Sequence, residues 1–115
     1  MLLYIGEAKA FDDDALRHAL VASGAIQRES GGTGELAAFD YELGEDLTTI
    51  RVTRDLETVV IDGSGPASFD IALKLQRGYA EPIHLIDEAY SFDLVLHDYD
   101  SMTSLLKAAD ESSQN

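Results

Sequence analysis

Cysteine is absent from this chain, which excludes disulfides, thiolate zinc sites and thiol nucleophiles and fits a reducing compartment. Proline occurs only twice, and 45% of the residues are hydrophobic, a composition suited to a globular domain rather than a disordered tail. Basic residues are scarce: Lys9, Arg17, Arg28, Arg51, Arg54, Lys74, Arg77 and Lys107 are the full set of 8. They are dispersed, with no cluster and no interleaved aromatic platform, which argues against nucleic-acid binding. A long hydrophobic run is also missing. Met1 to Glu7 has no basic leading segment, and its apolar stretch is too short for a signal core or a membrane span, so no membrane association and a cytoplasmic location are expected.

What the chain has in excess is negative charge: 22 Asp and Glu in 115 residues, a formal net charge of −14. Such a surface repels nucleic acid and anionic membrane and steers a basic protein partner toward it. Salt adaptation or a simple solubility requirement would give the same composition. The length fits one domain able to bury about two thirds of the surface its unfolded chain would expose. That domain is placed at 1–111, with 112–115 a frayed tail.

Leu2 to Ile5 reads as a short buried strand. Asp12, Asp13 and Asp14 favour a helix N-terminus, and Leu16, Ala19, Leu20 and Ser23 follow at helical spacing before Gly24, which predicts a helix over Asp13 to Ser23. Ser30 to Gly34 reads as a flexible break. Ala37, Phe39, Tyr41 and Leu43 then alternate with polar or small residues, as do Thr48, Ile50 and Val52. A loop over Gly44 to Leu47 would pair Phe39 with Val52, Tyr41 with Ile50 and Asp40 with Arg51. Thr58 to Ile61 completes a meander. Ser64-Gly65-Pro66 opens a second helix with Phe69, Ala72 and Leu73 on its apolar stripe, closed by Gly78. A hairpin follows, setting Leu85 opposite Phe92 and His84 opposite Asp93. Ser101 or Asp100 caps a last helix carrying Met102, Leu105, Leu106 and Ala109, with fraying expected from Glu111 onward. The order βαβββαββα predicts an α+β fold: a mostly antiparallel sheet of five to six strands with two to three helices, related to a ferredoxin-like split βαβ layout.

Few groupings carry chemistry. Ser30 to Gly34 is glycine-rich, but it follows a helix and enters a strand, the reverse of a phosphate loop. Asp93, Asp98 and Asp100, or Glu45 and Asp46, could offer oxygens to a hard cation, yet neither set has calcium-loop spacing, and no metal or cofactor is expected. His84 with Asp93 is the one arrangement resembling an acid/base dyad, and it lacks a nucleophile with supporting context; a cross-strand surface pair is the ordinary reading, and no catalytic residue is assigned. His18 and His97 read as surface residues. Tyr90, Phe92 and Tyr99 lie among Asp87, Glu88, Asp93, Asp98 and Asp100, an acidic segment with aromatics inside it. Tyrosine among carboxylates can grip a basic protein. The partner-binding residues expected are therefore Asp87, Glu88, Tyr90, Asp93, Asp98, Tyr99 and Asp100.

The segments IRVTRDLETVVIDG and SGPASFDIALKLQRGY, in a small, cysteine-free and very acidic α+β layout, resemble the small immunity proteins of bacterial toxin systems. That resemblance implies inhibition of a cognate, basic toxin by covering its active site, without catalysis. It assigns no individual inhibitory residue. Two other readings stand beside it: a small-molecule-binding or enzymatic domain using a helix–sheet cleft, and a structural subunit with a salt-adapted surface. An exposed sheet edge would allow a homodimer.

Overall fold

The computed structural model describes residues 1–7, 9–29 and 35–113. The glycine-rich break at 30–34 lies outside the described residues. Among those described, the strands are β1 (Leu2–Tyr4), β2 (Ile26–Arg28), β3 (Glu35–Leu43), β4 (Asp46–Thr53), β5 (Val59–Ile61), β6 (His84–Ile86) and β7 (Asp93–Val95), and the helices are α1 (Asp13–Ala22), α2 (Pro66–Arg77) and α3 (Met102–Ser113). A single 3₁₀ turn, Leu96–Asp98, joins β7 to the segment before α3. The protein is α+β. One sheet has the order β2-β3-β4-β5-β1-β6-β7, with every adjacent pair antiparallel. Strand β1 is inserted between β5 and β6, which α2 connects, so the split βαβ unit is present with extra strands at both edges.

The helices form where the sequence supplies caps. Asp12 accepts a hydrogen bond from the backbone N–H of Ala15 at 2.9 Å and opens α1, satisfying one of the donors a helix leaves unpaired. Gly24, with φ of +99°, turns the chain at the other end, a conformation glycine adopts without steric cost. Helix α2 is capped from outside its own segment: Asp46, at the start of β4, accepts from the Ala67 N–H at 2.8 Å. A side chain at Gly65 would meet that carboxylate at 2.6 Å, which explains glycine immediately before Pro66. Ser101 caps α3 by accepting from the Ser104 N–H at 3.2 Å.

One face of the sheet is closed. Leu3, Phe39, Ile50, Val52, Val59, Ile61 and Leu85 are almost wholly buried. Helix α2 packs on β3 and β4 and is flanked by α1 and α3. Being enclosed on several sides, it buries Ala67, Ser68, Phe69, Ile71, Ala72, Leu73, Leu75 and Gln76, more than the stripe its sequence predicts. A polar pin joins it to the sheet: the Tyr41 hydroxyl donates to Asp70 and accepts from Lys74 Nζ at 2.7 Å. Among the described residues no helix is long and apolar enough to cross a membrane.

Several expectations are corrected. The sheet has seven strands instead of five or six. The extra one, β2, has only one aliphatic residue and is exposed at all three positions, so it gives no alternation signal. The β3–β4 turn has two residues, Gly44 and Glu45, with Gly44 at φ +62°. This shortens the expected loop and slides the register by two: Phe39 faces Ile50, Tyr41 faces Thr48 and Asp40 faces Thr49. A shift of two keeps every side chain on its expected face. In the last hairpin Leu85 faces Leu94, and His84 faces Val95, while Phe92 lies before β7. Leu106 is 37% exposed and off the apolar stripe. Helix α3 continues through Ser113, past the point where fraying was expected.

Candidate functional site

Five of the 8 basic residues are turned toward the molecule's own carboxylates. Arg17 pairs with Asp13, Arg28 with Asp40, Lys74 with Asp70 and Lys9 with Glu81, while Arg51 reaches both Glu35 at 3.2 Å and Asp62 at 2.5 Å. Exposed pairs of this kind contribute little to stability. Their consequence is that these cations are engaged internally while acids such as Glu88, Asp98 and Asp100 face solvent.

The seven residues expected to bind a partner fall into three places around the β6–β7 hairpin. Asp87, Glu88 and Tyr90 lie in the connecting loop. The Asp87 carboxylate accepts from the Ser91 N–H at 2.6 Å and from the Ser91 hydroxyl, and its carbonyl accepts from the Tyr90 N–H at 3.1 Å. The Ser91 hydroxyl first, with backbone N–H donors adding to it and desolvation opposing, holds the Asp87 carboxyl below its ordinary pKa. The turn so fixed puts Tyr90 at φ +54° with 75% of its surface exposed. A bulky residue rarely takes that conformation.

Asp93 stands on the open face of the sheet. Asp98, Tyr99 and Asp100 lie at the opposite end of the hairpin, after β7. There Tyr99 is half-buried against the core, and the Asp100 carbonyl accepts from the Arg77 guanidinium at 3.0 Å. The structure therefore joins Asp87, Glu88 and Tyr90 in one loop and sets Asp98, Tyr99 and Asp100 apart from them.

Around Asp93 the structure assembles a cluster that includes a residue sequence reasoning missed. The Tyr4 hydroxyl donates to Asp93 Oδ2 at 2.7 Å, and His84 Nδ1 lies 3.3 Å from Asp93 Oδ1. The Tyr4 and His84 rings stack with centroids 4.7 Å apart. His84 and Asp93 meet diagonally across the strands, since Asp93 directly opposes Ile86. Tyr4 enters because β1 pairs with β6 and sets it opposite His84. Periodicity shows Tyr4 on the face opposite Leu3, but the neighbour of β1 is a matter of strand order. Desolvation, then the hydrogen bond to Asp93 and that carboxylate's charge, push the Tyr4 phenol up to about 12. It is thus a neutral donor that fixes Asp93 in place. The cluster borders a shallow groove of about 590 Å³ whose rim includes Gly6, Glu7, Lys9 and Glu81. This arrangement can orient a ring and a carboxylate, and among the described residues no serine or threonine hydroxyl bonds to His84.

Among the described residues, no three His, Asp or Glu side chains converge in a way that could hold a metal ion. Asp93, Asp98 and Asp100, which the sequence offers as a potential oxygen set, are spread from the start of β7 to the segment before α3.

Comparison with known proteins returns no matching family model, no matching curated protein and no matching solved structure.

Proposed function

We propose that this protein is a non-catalytic binding domain that engages a basic protein partner, and that it acts as an immunity protein, neutralising a cognate toxin by occluding its active site. The observation that carries this reading is Tyr90. A large aromatic side chain is held out to solvent by a loop locked through Asp87, with Glu88 beside it. A rigid tyrosine offers much contact area at little cost in side-chain entropy, and the surrounding carboxylates favour Lys or Arg on the partner. The net charge of −14 adds long-range attraction, which salt screens beyond about 8 Å at physiological ionic strength.

The test begins with tagged protein, captured from lysate of its native host at low salt and eluted along a salt gradient. A stoichiometric basic protein is expected. Expression of that protein alone should arrest growth, and co-expression of this chain should restore it. Tyr90→Ala and the pair Asp87→Lys, Glu88→Lys should weaken capture while thermal unfolding of the Tyr90 variant stays close to wild type. Recovery of this chain by itself across several growth conditions would overturn the reading.

The Tyr4–His84–Asp93 cluster beside its groove favours one alternative, a domain that binds a small molecule there. A ligand of that groove should raise the melting temperature of the wild type and not of His84→Ala. A metabolite screen without any thermal shift would remove its support.

A further inference from the structure

The two edges of the sheet are finished differently. At one edge, β7 keeps Leu94 buried and is followed at once by the 3₁₀ turn. At the other, β2 stands at the end of the strand order with all three residues exposed, and Ile26 is 73% exposed. An edge strand presents backbone N–H and C=O groups to any extended chain that approaches it.

Register shows what lies beside that edge on the open face. Ile26 is opposite Asp40, and Glu42, two residues further along β3, is opposite Leu47. These four side chains share one face and line a groove with Gly24 at its margin. Leu47 is 60% exposed, so two of the most exposed aliphatic side chains in the chain stand in one corner. Between them are two carboxylates, of which Asp40 also receives Arg28 at 3.5 Å. Glu29 and Glu45, both exposed, flank the corner in sequence. The local balance is negative, as is that of the whole molecule.

We propose that β2 and this corner form a docking edge for an extended, cationic segment of a protein partner, which adds as a further strand. Backbone pairing would supply affinity, and alternate side chains would supply selectivity. A lysine or arginine on the open face would lay its aliphatic stem over Ile26 and carry its charged head toward Asp40 and Glu42. A second copy of this chain is a poor occupant because its charge is equally negative. The inference deepens the reading of a basic partner by naming a second contact, at the sheet edge far from Tyr90.

The test is a nuclear magnetic resonance titration of the full, isotope-labelled chain with a short blocked peptide of alternating lysine and valine. Expected are shifts at Ile26, Gln27, Arg28 and Asp40 and slowed amide exchange in β2. The same peptide with alternate backbone nitrogens methylated, and therefore unable to pair, should lose these effects. Ile26→Lys, at an exposed position, should weaken binding by about tenfold, the scale of one or two lost apolar contacts. Equal binding by the methylated peptide, shifts confined to β7 or the Asp87–Tyr90 loop, or silence at β2 would overturn the proposal. So would a dimer in sedimentation that Ile26→Lys dissolves. The two readings fail separately: capture of a basic partner with β2 silent removes only the edge, whereas docking at β2 with no partner captured removes only the immunity reading.

Discussion

The two faces of the sheet are made by the same strands, one residue out of phase, and they are held by different physics. On the covered face Leu3, Phe39, Ile50, Val59, Ile61 and Leu85 are nearly without exposure and meet the helices. On the open face Arg51, Val60, Tyr4, His84 and Asp93 lie in cross-strand rows whose links are ion pairs, a ring stack and single hydrogen bonds. The covered face fixes the fold. The open face and its rims are where a partner can be met without unfolding anything.

The sharpest way to break this contrast is to truncate one large residue on each face. Phe39→Ala removes a ring with 0% exposure and should cost about 3–5 kcal/mol, the range for deleting a buried aromatic. Val60→Ala, only partly buried on the other face, should cost about 1 kcal/mol or less. Denaturant unfolding of both variants measures the difference. Comparable losses would mean that the open face is covered in solution.

A second test addresses how the two regions are tied together. Gln76 of α2 is 6% exposed. Its Oε1 accepts from the Ile83 N–H at 2.6 Å, and its Nε2 donates to the Glu81 carbonyl at 2.9 Å. One amide thus satisfies the backbone that leads into β6. Gln76→Ala strands a buried donor and weakens its neighbour, and should cost about 3 kcal/mol. It should also loosen β6 and β7 first, visible as faster amide exchange there than in β3 and β4.

The contrast also explains what the sequence could reveal. Alternation identifies Phe39, Tyr41, Ile50 and Val52 as core whatever the register, because burial follows a period of two and survives a slip of two. Caps and glycines bound α1 and α2 closely for a local reason: the conformations they need are set within a turn. Strand β2 escaped because exposure on every side leaves no pattern, and its existence depends on β3. The turn at Gly44 and Glu45 is two residues rather than four because the φ of Gly44 allows the tighter reversal. At the candidate site, His84 and Asp93 were legible as neighbours, since one hairpin holds both. Tyr4 was not, because it joins them through strand order. The grouping of Tyr90 with Tyr99 dissolved because three residues of β7 separate their loops.

Alkaline pH should act through tyrosines on both faces. The Tyr4 phenol ionises near 10 when unfolded and near 12 in the fold. A folded value raised above the unfolded one gives stability that is complete below pH 10 and is lost as pH climbs toward 12. Tyr41 and Tyr79, raised chiefly by burial, change stability in the same direction. So does Lys74, raised first by its bond to the Tyr41 hydroxyl. Unfolding midpoints measured across this window should fall, and fall less steeply in Tyr4→Phe. Equal slopes would mean that Tyr4 is not held by Asp93 in solution.

The smallest effect on stability is expected where the effect on binding is largest. Tyr90 has φ of +54°, a conformation that costs a non-glycine residue about 1 kcal/mol and costs glycine almost nothing. Its side chain is mostly exposed and contributes little to the core. Tyr90→Gly should therefore leave the melting temperature unchanged or slightly raised, because relief of backbone strain offsets the greater freedom of glycine in the unfolded chain. If the loop exists to present the ring, the same substitution should weaken partner binding by at least about tenfold. A stability loss above about 1 kcal/mol would instead place Tyr90 among the residues that hold the hairpin, and the strain would then belong to folding rather than to recognition.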